Sequence, residues 1–239
     1  MSRQHVSTGI LALTTVALSF AAPATAAAQQ DAFWTDWLSA TQSGNQGTVI
    51  GSLATPGTDV TVTYTGELNF SQTTPTTNYF QPRATFLGAV LQDAAPITSD
   101  MIALSGGTGI TNTFTFSAPI LNPFISIVSL GRPSVAVDYV FDAPLAIIAG
   151  GPTTIFGGGP LTSPSATVVR GQEGNGTIRF EGSFNSLSFT TVNGEFWSGI
   201  TLGVEGVAGP SVVPEPATVV MLATGLLGLG LMARRRRRS

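Results

Sequence analysis

The sequence predicts an all-β fold, an antiparallel β-sandwich of jelly-roll type, set between two end segments that do not belong to the folded body. Three observations predict it. Residues 58–66 read T-D-V-T-V-T-Y-T-G, which puts Val60, Val62 and Tyr64 on one face and threonines on the other, the mark of a half-buried strand. Turn residues interrupt runs of this kind about every eight to twelve positions, the spacing of antiparallel sandwiches and barrels. Threonine, valine and phenylalanine, which suit a pleated half-buried surface, recur along the chain, and lysine is absent.

The elements follow in order. Met1 to His5 carries Arg3 as its only firm positive charge, Ile10 to Ala22 is apolar, and Ala24-Thr25-Ala26 is a small-x-small exit with a second at Ala26-Ala27-Ala28. Charged start, short apolar middle and small exit predict a secretory signal peptide over residues 1–28, with the Sec translocon and signal peptidase as partners. Asp31 to Ala40 departs from the β pattern. Phe33, Trp34, Trp37 and Leu38 fall there at helical spacing, predicting a short first helix or an irregular edge. After the strand at 58–66, further strands are expected at Thr113–Ser117, Pro123–Leu130, Val135–Phe141 and Leu145–Ala149. Gly176–Glu181 and Phe184–Thr191 read as a hairpin with Gly182 and Ser183 near its turn, and Phe196–Val204 as the closing strand. The glycine-rich stretch from Ala149 to Pro160 lacks the lysine and strand-to-helix context of a phosphate loop and reads as a surface loop. Residues 29–205 thus form one domain, large enough to bury a core without disulfides, and 206–213 a glycine- and proline-containing linker.

Between Gln29 and Val213 twelve carboxylates face four arginines, a net charge of −8. Such a surface repels phosphate backbones, which argues against nucleic acid as a partner. The sole histidine, His5, lies in the expected signal peptide, and the body has no cysteine or lysine. Serine–histidine triads, thiol nucleophiles, histidine-ligated zinc and lysine Schiff bases are therefore excluded. Carboxylate chemistry remains: a glycosidase needs two carboxyls roughly 5 to 9.5 Å apart across a cleft. Glu173, Glu181 and Glu195 are the candidates, and nothing in their spacing requires such a pair. No catalytic residue and no cofactor is expected. Glu173 and Asn175, in the oxygen-rich turn E-G-N-G, are weak calcium candidates without the EF-hand spacing, and a plain glycine turn is the simpler account. Trp34 and Trp37 could stack on sugar rings, although such aromatics more often close a core.

The C-terminal segment has three consecutive parts. Pro214-Glu215-Pro216 is stiff and extended, because proline fixes its own φ and biases the residue before it away from helix. Ala217 to Ala233 is an uncharged run of 17 residues, about 26 Å as a helix and near the lower limit for crossing a bilayer. Arg234, Arg235, Arg236, Arg237 and Arg238 follow as five consecutive cations. Polybasic residues beside a membrane segment stay cytoplasmic, which puts the body outside, as the N-terminal segment independently requires.

The Pro-Glu-Pro tripeptide, the short helix with Gly225, Gly228 and Gly230, and the arginine cluster resemble the PEP-CTERM sorting signal in order, spacing and terminal position. The resemblance implies recognition by an exosortase, a membrane-embedded cysteine transpeptidase-like enzyme of Gram-negative bacteria that make extracellular polysaccharide. It also implies cleavage near Pro214, Glu215 and Pro216, with Arg234–Arg238 as the stop-transfer cluster, and then release or attachment at the cell surface. Asn122–Gly131 and Glu173–Gly182 are similar to stretches of other exported PEP-CTERM proteins, whose bodies are β-sandwiches generally without an assigned activity. The expectation is an exported surface or extracellular-matrix protein, anchored transiently or permanently in the inner membrane, structural or adhesive in exopolysaccharide or biofilm. A lectin-like module binding extracellular polysaccharide is the alternative, and a carboxylate-based glycosidase is a weaker one.

Overall fold

The computed structural model describes residues 32–88, 91 and 100–207. The expected signal peptide, the Pro-Glu-Pro motif, the C-terminal helix and the arginine cluster lie outside the described residues. In chain order the elements are β1 (Phe33–Trp34), β2 (Asp36–Ser43), β3 (Gln46–Thr55), β4 (Thr58–Glu67), β5 (Phe70–Gln72) and α1 (Arg83–Phe86). Then come β6 (Met101–Gly106), β7 (Thr111–Leu121), β8 (Phe124–Leu130), β9 (Val137–Phe141), β10 (Ala146–Gly150) and β11 (Gly159–Pro160). The last are β12 (Thr162–Ser165), β13 (Val168–Gly171), β14 (Gly174–Arg179), β15 (Ser183–Val192), β16 (Gly194–Val204) and β17 (Gly206–Val207).

These strands form two antiparallel sheets. The first runs β10-β14-β8-β16-β6-β5, with β1 added to β16 and β11 to β14. The second runs β12-β13-β9-β15-β7-β4-β3-β2, with β17 added to β7. Among the described strands only β11 and β14 pair in parallel. Alternation decides which side chains meet. Val60, Val62 and Tyr64 of β4, Phe114 of β7 and Leu187 and Phe189 of β15 turn inward from the second sheet. Ile125, Ile127, Ile178, Ile200 and Leu202 meet them from the first. Phe189 joins Tyr139 and Phe141 at ring separations of 4.9 Å, and Phe141 continues to Phe180 at 4.9 Å. Each such buried ring contributes about 1.5–3 kcal/mol.

All seven residues of β8 are buried, because the first sheet is covered on both faces. On β6, Ile102 and Leu104 enter the inter-sheet core, while the alternate residues Met101 and Ala103 join a second apolar cluster with Phe80, Phe86 and Val128. Trp34, Phe70, Tyr79, Phe156 and Trp197 close that cluster.

Several expectations are corrected here. Of the two alternatives for Asp31 to Ala40, the described residues form no helix but an irregular edge: β2 is the outermost strand of the second sheet and its register shifts between Trp37 and Ser39. Phe33 and Trp34 pair with Val204 and Gly203 of the first sheet, while Trp37 pairs with Gly51 of the second. The chain changes sheet at Thr35, whose N–H and hydroxyl both donate to the Leu202 carbonyl at 2.9 Å. Apolar residues at helical spacing thus serve two sheets, and Leu38 is left 58% exposed. Gly176–Glu181 and Phe184–Thr191 are not a hairpin either: β14 pairs with β8 and β10, and β15 with β7 and β9. Gly182, at φ 115°, makes the crossing between sheets and is held by Asn122, whose Oδ1 accepts its N–H at 2.8 Å. The 149–160 stretch is partly drawn into the sheet, with Thr153 bridged to Gly157 and β11 lying along β14. Gly206 and Val207, expected in the linker, form β17 and pair with Leu121 and Ile120 of β7.

Candidate functional site

Of the two sugar-stacking candidates, the structure buries Trp37 in the core and leaves Trp34 half-buried at the edge of the second apolar cluster. Trp37 is completely buried, with its ring 6.3 Å from that of Phe114. Trp34 lies over Gly203, where an added Cβ would meet its ring, and its indole nitrogen is buried. Trp37 offers no face to a ligand; the exposed aromatic is elsewhere.

The calcium candidates also have structural duties. Ser129 sits in β8 at φ 57°, where the β8–β14 register shifts, so its N–H leaves the ladder. Asn175, fully buried, supplies the missing acceptor: its Oδ1 takes the Ser129 N–H at 2.7 Å. Its amide nitrogen donates to the carbonyls of Gly157 and Glu173, each at 3.1 Å. The Glu173 carboxylate accepts the Ser129 hydroxyl at 3.2 Å. Among the described residues no three histidines or carboxylates gather closely enough to hold a metal ion.

Of the three carboxylates considered for catalysis, Glu181 is exposed beside Arg179 at 3.2 Å. Glu195 and Glu173 come within electrostatic reach of each other. Burial pushes the Glu195 carboxyl up to about 7, opposed by the Gly131 N–H and the Ser198 hydroxyl and reinforced by Glu173 and Glu67. The Ser198 hydroxyl also lies 2.5 Å from that of Tyr139, across the core on β9.

Glu195 opens a bulge. Between Gly194 and Ser198 the pairing of β16 with β6 slips, and the bulge re-aims the residues it contains. Ser198 faces inward and Trp197 joins the outer cluster, stacking edge-on against Phe70, Tyr79 and Phe156. Phe196 is thrown out, 76% exposed, with the Arg132 guanidinium 5.7 Å from its ring centre. Its carbonyl is held by Asn69 and Ser105 at 3.2 and 3.3 Å.

That hydrogen bonding leads into two neighbouring grooves that share Gln42. One, of about 380 Å³, is lined by Gln42, Asn45, Glu67, Asn69, Ser105 and Thr108. Glu67 at its base is almost wholly buried and its pKa is raised by burial, while its oxygens accept the Ser105 N–H and the Thr108 hydroxyl at 3.1 and 3.3 Å. The other, of about 360 Å³, is lined by Thr41, Gln42, Ser43, Gln46, Thr48 and Thr65, together with Gly47 and Gly66. Both present amides and hydroxyls and no cation. This chemistry suits an uncharged, hydroxyl-bearing ligand. It pairs no nucleophile with a base.

Neither groove was legible from the sequence, since each joins residues from separate strands; the broken alternation at Glu195, Phe196 and Trp197 was the available signal for the bulge. Residues 212–238 match the family model of the PEP-CTERM protein-sorting motif. No curated protein and no solved structure matches the chain.

Proposed function

We propose that this chain, which carries a PEP-CTERM protein-sorting motif, is a structural or adhesive component of an extracellular polysaccharide or biofilm matrix, and that it is not an enzyme. The motif itself implies an exported, membrane-anchored protein recognised by an exosortase, and it is the observation that carries the reading. In the proposed course, the N-terminal segment directs the chain to the Sec translocon and signal peptidase removes it. Ala217 to Ala233 then parks in the inner membrane, and Arg234 to Arg238 stop translocation on the cytoplasmic side. Pro214-Glu215-Pro216 presents extended backbone at the outer interface, where the exosortase cuts. The body is read as a jelly-roll or lectin-like sandwich. The lack of histidine, lysine and cysteine beyond His5 supports a non-catalytic role. In a host lacking its exosortase, the chain is expected to stay in the inner membrane with Arg234–Arg238 attached; a cleaved chain in that host would overturn the reading.

A second reading, a carbohydrate-binding module, is favoured by the uncharged, hydroxyl- and amide-lined groove at Thr41, Thr48 and Thr65. It would act together with the matrix role.

A further inference from the structure

We infer that the outer face of β3, β4, β7 and β15 in the second sheet, with the groove at its β2–β4 end, is a docking surface for an uncharged polysaccharide. The inference rests on the matrix reading and adds the ligand class and the residues that meet it.

The face follows from alternation. With Val60, Val62, Tyr64, Phe114, Leu187 and Phe189 turned into the core, their neighbours on β3, β4, β7 and β15 turn out. Strand register aligns them in rows across the sheet. Thr48, Thr65, Thr113 and Ser188 form one row. Ile50, Thr63, Thr115 and Ser186 form the next. Ser52 and Thr61 begin a third. Neighbouring side chains in these rows therefore leave backbone positions about 4.8 Å apart between strands and about 6.7 Å apart along them. Thr113 and Ser188 hydroxyls are 3.0 Å apart, so adjacent strands share one hydrogen-bonding surface.

Threonine is common on strands, but an exposed sheet face ordinarily also carries charge. None of these ten positions is charged, and the charges on the same face lie around them: Asp36 beside Ser52, Asp59 next along β4, and the Asp138–Arg170 pair on β9 and β13. The groove continues the same chemistry: Thr48 and Thr65 belong to both, and Thr41, Gln42, Ser43 and Gln46 extend it with hydroxyls and amides. The paired Gly47 and Gly66 sit beneath it and let the strands close on the buried Leu68 and Asn112, since an added Cβ would meet each at 2.4 Å.

Charge and polarity select the occupant. An anionic polymer finds no cation in the rows and meets a net charge of −8. A lipid surface or an apolar protein patch finds Ile50 as the only large apolar side chain in them. A neutral polyol meets hydroxyls that both donate and accept, beside threonine methyls that can cover C–H surface, with no ion to desolvate.

The test uses the secreted chain, sedimented with insoluble neutral β-glucan or neutral α-glucan and, separately, mixed with a uronate polymer. Wild type is expected to bind at least one neutral glucan and not the uronate polymer. The double variant Thr63→Glu/Thr115→Glu, checked for an unchanged circular dichroism spectrum, should weaken that binding by about tenfold or more. Thr63→Ala/Thr115→Ala, which leaves no charge, should weaken it severalfold. Loss of binding with the same two charges placed at exposed Thr74 and Thr154 would overturn the inference, as would full binding by the Glu pair, preference for the uronate polymer, or no binding to either glucan. Self-association abolished by the Glu pair, without glucan binding, would assign the face to a second copy instead. Exosortase processing is read separately from the C-terminal mass, so failure here leaves the sorting reading intact, and the reverse.

Discussion

Replacing Glu195 with glutamine should flatten the pH dependence of folding stability. The carboxyl is pushed from 4.5 to about 7, chiefly by burial. A carboxyl whose folded pKa lies above its unfolded value binds more protons folded than unfolded, so its contribution is fully present below pH 4.5 and is lost as pH rises through about 7. At 1.36 kcal/mol per pH unit, and discounted for partial exposure, the loss is about 2–3 kcal/mol, a large share of the 5–15 kcal/mol typical of a domain. Asp100, pushed up to about 6 by burial and by Asp36 and opposed by the Trp37 N–H, acts with the same sign, as does Glu67. Urea denaturation at pH 5 and pH 8 should therefore show wild type less stable at pH 8. Glu195→Gln keeps the shape and an acceptor for the Gly131 N–H but cannot ionise, so its pH 5-to-8 loss should be smaller by about 2–3 kcal/mol. Equal slopes for the two proteins, or a wild type that gains stability toward pH 8, would refute the reasoning.

Trp37→Ala should cost about 3–5 kcal/mol in the same assay, whereas Trp37→Phe should cost much less, since the indole nitrogen has no hydrogen-bond partner among the described residues. Glucan sedimentation by folded Trp37→Phe should match wild type. Asn175→Ala strands the buried Ser129 N–H and removes one of two donors from each of the Gly157 and Glu173 carbonyls, and should cost about 2–3 kcal/mol. Calcium or a chelator should shift the melting temperature of neither wild type nor this variant; a calcium-dependent rise seen only in wild type would contradict the structural assignment. Pro214→Ala/Pro216→Ala should slow removal of the tail in the native host, leaving a larger chain in membrane fractions by immunoblot.

Sequence revealed those parts of the fold that depend on local pattern. Thr58–Gly66 and Thr113–Ser117 alternate cleanly and are strands, and the stretch expected as a strand at Pro123–Leu130 contains β8, whose burial on both faces was not expected. What failed was assignment between sheets. A glycine at 182 signals a turn, but the same turn can join two strands of one sheet or carry the chain to the other, and only the pairing of β14 with β8 and β15 with β7 decides. The crossing at Thr35 left a helix and an irregular edge equally readable for the same reason, and the edge is what forms. β3 was missed because Gly47 and Gly51 interrupt its apolar face; Gly51 is needed where a Cβ would strike Thr35 and the Trp37 ring. Site geometry was less legible still. Glu67 and Asn112 are 45 positions apart, yet the Asn112 Oδ1 accepts the Glu67 N–H at 2.8 Å. The threonine rows lay half in view, as the polar side of β4 and β7, but their alignment needed register. By contrast, the sorting motif is carried by contiguous residues and is readable without any fold.

The mass of the native protein's C-terminus tests the account most directly. Processing predicts that chains recovered from the cell surface or the medium end close to Glu215 and lack the arginine cluster. A matured pool that still yields an intact peptide spanning Arg234 to Ser239, or a folded body found in the cytosol with both ends uncut, would contradict it.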